Sequence, residues 1–364
     1  MNLRPIIRPM IGPVLALLLA PCADGEQVCR AADENVGSAR AAANDTVPVA
    51  TDGCEKAVAK PQDASGATPR PRTAFPTRAE FLRQIAVYET AVRDARAAHA
   101  SDVTMAKVYG QLASSYGAAS MYEPAESALE HAISLLRGHA ESNRELADDM
   151  DYLGGLHRAM GKLRQAEHEG LESLRLWEGL GDSLGIARSW STLSGIYFGQ
   201  RKYAISMDFA RKAVAEFSGN KEADFSDRVA ARLHLAQALC HTKECPSAIP
   251  LLKDTVAMAK LAFRANDFPV GEAEFLLGFA YWKTGDVAGA SESMKQGVAI
   301  MKEQLGWGHP AYLNSLSNYA QFLRENRRVD DAEAVERQIR QTQSVVDVHS
   351  IQKREGVDSP AGLR

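Results

Sequence analysis

From Arg78 onward, apolar positions recur every three or four residues in helix-length runs separated by short polar breaks. The first run, Arg78 to Ala98, carries Phe81, Leu82, Ile85, Val87, Tyr88, Val92 and Ala95, the spacing of an amphipathic helix. Later runs repeat one another. A small residue opens every second run, at Ala125, Ala166, Ser206, Ala248, Ala290 and Ala332, at intervals of 41, 40, 42, 42 and 42 residues. Upstream of each stands a large apolar residue followed by a small one: Leu112-Ala113, Leu153-Gly154, Leu193-Ser194, Leu235-Ala236, Leu277-Gly278 and Tyr319-Ala320. Three positions beyond these pairs come Tyr116, His157, Tyr197, Leu239, Tyr281 and Leu323. A further column, Ala132, Ser173, Ala213, Thr255, Gly297 and Ile339, falls seven positions after the small one.

These columns predict antiparallel helix hairpins. Small residues let two backbones approach at a crossing, and large ones fill the space between crossings. One hairpin cannot bury its apolar face alone, so the units must stack.

The pattern resembles the tetratricopeptide repeat, over six repeats from Ala106 to Gln343. The long period, the His309-Pro310 start, Asn318-Tyr319-Ala320 and Asp331-Ala332-Glu333 are similar to the repeats of kinesin light chains and their bacterial relatives. The resemblance implies an all-α fold, a right-handed α-solenoid of stacked antiparallel helix hairpins, about six units behind an N-terminal capping helix. The expected organisation is a signal peptide over 1–25, a disordered linker over 26–76, the repeat domain over 77–345 and a flexible tail over 346–364.

In such arrays the first helix of each hairpin lines a concave groove. The resemblance then implies inward positions at Asp148, Asp151, Tyr152, Arg158, Arg188, Thr192, Phe198, His234, Gln237, His241, Glu272, Phe275, Phe279, Trp282, Lys283, Asn314, Asn318, Gln321 and Arg324. Phe275, Phe279 and Trp282 share one helix face, away from the packing positions Leu277 and Tyr281, and form the expected contact patch. Should that stripe be core, the alternative site is the polar stretch around Asp148, Asp151, Arg158 and Arg188. The Lys/Asn carboxylate clamp of some relatives is missing, since the first repeat presents Lys107, Gly110 and Ser114.

Charge adds little direction. Forty-two basic against forty-six acidic residues give no drive toward nucleic acid. The N-terminus is more informative. Arg4 and Arg8 precede the apolar run Met10–Ala20, which is too short to cross a bilayer but has the form of a secretory signal, with cleavage after Gly25. Leu19-Ala20-Pro21-Cys22 resembles a bacterial lipobox, with Pro21 where a small residue is usual, so Cys22 is a candidate for lipidation and membrane attachment. An exported protein is allowed disulfides. Cys29 and Cys54 are one candidate pair, the alternative being free thiols. Cys240 and Cys245 are another, across the turn of the fourth hairpin, with two separate buried thiols as the alternative.

No G-x-G-x-x-G after a strand, G-x-x-x-x-G-K-[ST] or H-E-x-x-H occurs, and no metal or cofactor is expected. His234 and His241 are seven residues apart, about 10 Å along a helix, too far to share one zinc ion. The expected function is a noncatalytic scaffold in the bacterial envelope that captures a protein or peptide. The alternative is an accessory subunit of an envelope enzyme or secretion system. The sequence does not fix the oligomeric state.

Overall fold

The computed structural model describes residues 76–306 and 308–354. The expected signal segment, Cys22, the expected linker with Cys29 and Cys54, and the final residues lie outside the described part.

Every described element is helical. Helix α1 (Arg78–Ala97) precedes six hairpins: α2/α3 (Asp102–Ala118, Tyr122–Leu136), α4/α5 (Asn143–Ala159, Leu163–Leu180), α6/α7 (Ser183–Gly199, Tyr203–Gly219), α8/α9 (Phe225–Cys240, Cys245–Ala262), α10/α11 (Phe268–Thr284, Val287–Leu305) and α12/α13 (Pro310–Glu325, Val329–Arg354). Helix α13 continues past residue 345, where the tail was expected to begin. No helix among the described residues is long and apolar enough to cross a membrane.

The capping helix begins as its sequence requires. The Thr77 side chain accepts from the Glu80 amide, and the Glu80 carboxylate accepts from the Thr77 amide, closing a capping box. Helix α1 then buries Phe81, Ile85 and Val92 and packs on α2, covering the open end of the first hairpin.

Packing follows the columns. Ala125, Ala166, Ser206, Ala248, Ala290 and Ala332 are each 0% exposed. At Gly297 a Cβ would stand 2.6 Å from the Gly271 carbonyl oxygen and from the Phe275 amide nitrogen, so α10 and α11 meet backbone to backbone. First helices also touch the first helix of the next hairpin, α4 on α6, α6 on α8 and α8 on α10, and so form a continuous inner row.

Five of the six hairpins turn in one way. A left-handed residue occupies the turn, at Ser120, Gly161, Arg201, Gly285 and Arg327. The amide after it reaches back to the carbonyl of Tyr116, His157, Tyr197, Tyr281 or Leu323, the closure that ends a helix in a Schellman motif. The α8/α9 turn has neither feature: no residue from His241 to Glu244 has positive φ, and His241 and Thr242 donate only to Ala238 and Leu239.

Candidate functional site

The expected aromatic patch is core. Phe275 and Phe279 are 2% and 1% exposed. Helix α10 is apolar on nearly every face, being packed against α8, α9 and α11, and it is buried continuously from Phe268 to Ala280. Phe275 faces the glycine crossing at Gly297. Phe279 belongs to an aromatic ladder that bridges repeats. Tyr203 stacks on His241 at 5.0 Å, His241 stacks on Phe279 at 5.8 Å, and Phe279 meets Trp282 edge-on at 5.5 Å. Trp282 meets Phe322 at 6.0 Å, and Phe198 closes on His241 at 4.9 Å. Burial, with the nearby cations Lys283 and Arg201, lowers the His241 pKa to about 4, so its ring is neutral in the stack. Trp282 is half-buried, donates its indole N–H to Glu325 at 2.8 Å and carries the exposed Lys283 ammonium 4.1 Å from its ring centre.

Three more expected groove residues are engaged elsewhere. Asn318 is buried and donates to the Asn314 carbonyl of its own helix. Arg324 forms a two-pronged ion pair with Glu336 of α13, at 2.6 and 2.8 Å. Gln321 donates to Glu325.

Asp151 is also a packing residue. Its Oδ2 accepts from Ser189 Oγ at 2.8 Å and from the Trp177 indole N–H at 3.3 Å, joining α4, α5 and α6, while Oδ1 has no hydrogen-bond partner. Burial pushes its pKa up to about 7 against the hydrogen bonds that lower it. Tyr152 passes over Gly117, where a Cβ would lie 2.2 Å from its hydroxyl, and donates to the Ser114 carbonyl at 3.4 Å. Burial pushes its pKa well above the ordinary tyrosine value.

What remains open is the inner row of the first three repeats. Lys107 and Gln111 of α2 face Arg144, Glu145 and Asp148 of α4 around a shallow hollow of about 280 Å³. Lys107 pairs with Glu145 at 3.4 Å. Arg188 of α6 extends the row, with Nη1 3.2 Å from Asp148 and Nε 3.5 Å from Asp227 of α8. Arg144 and Arg188 both lie over the Trp177 ring, at 5.3 and 5.7 Å, and Arg144 also pairs with Asp182. Burial raises the Asp227 pKa to about 6, although Arg188 pulls it down.

Deeper in the same row, Gly195 admits two side chains from neighbouring repeats. A Cβ there would be 3.2 Å from Arg158 Nε and 3.2 Å from His234 Nε2. His234 keeps Ser191 Oγ at 3.1 Å from Nδ1, and burial followed by the Arg158 charge lowers its pKa to about 3. Thr192 Oγ1, His234 Nε2 and Gln237 Nε2 are buried without a hydrogen-bond partner. The expected polar stretch therefore splits: Asp148 and Arg188 line the accessible surface, and Arg158 and Asp151 lie beneath it.

Sequence reasoning missed Gln111, Arg144 and Glu145. The first helices of repeats one and two juxtapose them, and the signal was their helical spacing toward Lys107 and Asp148. It also missed His157 as an ion-pair centre. Nε2 lies 2.8 Å from Glu126 and Nδ1 2.6 Å from Glu169. Burial opposes its charge, but the two carboxylates prevail and raise its pKa.

Among the described residues no cluster of histidine, cysteine and carboxylate side chains could hold a metal ion. Cys240 and Cys245 are free thiols, both buried.

No protein-family model and no curated protein sequence matches the chain. Solved structures do. A Rap protein complexed with competence and sporulation factor has TM-score 0.61 and 13% identity, over 74% of this chain and 72% of that one. The Rap conjugation gene regulator of plasmid pLS20, in complex with the Phr* peptide, has TM-score 0.61 and 12% identity, over 78% and 73%. Aspartyl phosphate phosphatase F from Bacillus subtilis has TM-score 0.59 and 13% identity, over 79% and 71%. At such identities the likeness is one of fold. Serial hairpins, a sealed small-residue column and these neighbours together make the described chain a tetratricopeptide-type, all-α solenoid.

Proposed function

We propose that this chain is a noncatalytic scaffold of the bacterial cell envelope that captures a protein or peptide along the inner row of its first three repeats. The observation that carries the reading is the accessible hollow lined by Lys107, Gln111, Arg144, Glu145 and Asp148. Both signs of charge sit there with an amide, the chemistry that pairs with the main-chain amides and charged side chains of an extended peptide. One structural neighbour was solved with the Phr* peptide and another with competence and sporulation factor, and the former supports a peptide-sized occupant for such a row. The segment Arg4 to Ala20 supports export, with membrane attachment following only if Cys22 is acylated.

The test is peptide display against the full chain, followed by affinities for the enriched sequences. The double substitution Asp148→Lys, Arg188→Glu should weaken binding at least about tenfold, and added salt should weaken it in the parent, because exposed charges are screened over about 8–10 Å. Failure to enrich any sequence, or equal affinity in the double variant, would sink the reading. Fractionation tests the location: full-length protein found in the cytosol would overturn export.

A further inference from the structure

The α8/α9 turn is the exception among the six hairpins. It spans His241 to Glu244 and lacks both the left-handed residue and the long-range amide closure that end the other five first helices. Where that closure is missing, two thiols face each other. Cys240 ends α8, Cys245 begins α9, and their Sγ atoms are 2.8 Å apart. A disulfide requires about 2.04 Å, so the pair needs only a small approach. Both sulfurs are buried, and Cys245 Sγ also lies 3.9 Å from the Ala280 carbonyl of the next repeat. Between the cysteines stands His241, the residue through which the aromatic ladder passes from Tyr203 to Phe279.

We infer that Cys240 and Cys245 form a redox-active pair whose oxidation by a disulfide donor closes the fourth hairpin covalently. The step is thiol–disulfide exchange. Opening of the exposed turn admits the oxidant. The Cys245 thiolate attacks one sulfur of the donor disulfide, giving a mixed disulfide and releasing the first donor thiolate. Cys240 loses its proton to solvent and attacks Cys245 Sγ, which releases the second donor thiolate. Two protein thiols are oxidised by two electrons and one donor disulfide is reduced to two thiols. The assignment of Cys245 as attacker agrees with its surroundings. The hydrogen bond shared with Cys240 holds the Cys245 thiol below its ordinary pKa and Cys240 above it, and the Lys283 charge acts on both in the same downward sense. The product does for the fourth turn what the backbone closure does for the others. It fixes the tip that carries His241 against the fifth repeat.

Lys243 lies between the two cysteines, so trypsin separates peptide 233–243 from peptide 244–253. The full chain is equilibrated with equal reduced and oxidised glutathione, quenched by alkylation, unfolded and digested. The expected result is the two peptides joined by a disulfide and restored to separate alkylated forms by a reductant. Hydrogen exchange at residues 240–245 and at the α10 tip, 279–284, should slow on oxidation by about tenfold, an effect absent in Cys240→Ala and Cys245→Ala. Alkylation of both cysteines, a glutathione adduct as the end product, or linkage to Cys22, Cys29 or Cys54 would overturn the pair. A joined pair without slowed exchange in 279–284 would overturn the clamp.

Discussion

The inner row of the first three repeats and that of the last three rest on the same small-residue crossings, yet one is open and charged and the other is sealed. In the first half, Lys107, Glu145, Asp148 and Arg188 form partly exposed pairs around a hollow. In the second half, His241, Phe279, Trp282 and Phe322 interlock ring on ring, and the flanking helices bury α10 almost throughout. The small-residue columns are equally buried in both. What differs is the side chains between the columns. Rings that bridge neighbouring repeats close the row, while charged chains pair loosely and leave it accessible. Packing columns thus set the solenoid, and the positions between them set where a partner has room.

The largest way to break this contrast is to empty the sealed half. Phe275→Ala or Phe279→Ala should cost about 3–5 kcal/mol, and the loss should spread to neighbouring repeats through shared interfaces. Thermal and denaturant unfolding would read it. A loss under about 1 kcal/mol would mean that the ring is not core.

Next comes the buried ion centre beneath the open half. His157→Leu leaves Glu126 and Glu169 without their shared cation and should cost about 2–4 kcal/mol. The raised His157 pKa means that its contribution is present below its unfolded value, near 6.5, and is lost as pH rises through the higher folded value. Glu126 is held below its ordinary pKa because bonds from Lys162 and His157 outweigh burial, so its contribution fades as pH falls through that lower folded value. The penalty of His157→Leu, followed by urea unfolding across pH, should be greatest between those limits.

Asp151 sharpens the contrast in the opposite sense. Its folded pKa is raised to about 7, so the unfolded chain ionises first, and the cost to the fold grows from the ordinary Asp value near 3.9 up to about pH 7 and levels off above it. Asp151→Asn keeps an acceptor for Ser189 and should stabilise by on the order of 2 kcal/mol at pH 8, with little gain at pH 4. A destabilised Asn variant at pH 8 would show that the ionised carboxylate is favoured.

The smallest effect is local. Arg201 turns the third hairpin in the left-handed region, which costs a non-glycine residue about 1 kcal/mol. Arg201→Gly should recover part of that, seen as a small rise in melting temperature.

The repeat framework was legible in the sequence because packing constrains residue size. Small residues at a fixed period mark crossings whatever the surrounding identities, and the six hairpins fall on those columns. Helix rotation was not legible in the fifth repeat. On α10 the stripe Phe275, Phe279, Trp282 could face a groove only if another face of the helix were enough to fill its packing needs. With α8, α9 and α11 all against it, no face was left. The open site was half legible. Asp148 and Arg188 stood out as charged inward positions, but Asp151 looked the same in sequence and is held inside by Ser189 and Trp177. Periodicity gives the direction of a side chain to within a turn. Whether a neighbouring helix covers it depends on how successive hairpins stack.

The most direct test measures stability and peptide affinity together for Phe279→Ala and Asp148→Lys, using one displayed peptide that binds the parent. Phe279→Ala should lower the melting temperature by about 10 °C, as a loss of 3–5 kcal/mol implies at roughly 2–4 °C per kcal/mol, and bind with parental affinity in the cold, where it is folded. Asp148→Lys should melt within about 4 °C of the parent, since a partly exposed pair contributes on the order of 1 kcal/mol, and bind at least about tenfold more weakly. The crossed result, in which Phe279→Ala is stable but fails to bind while Asp148→Lys binds normally, would contradict the division into an open charged half and a sealed aromatic one.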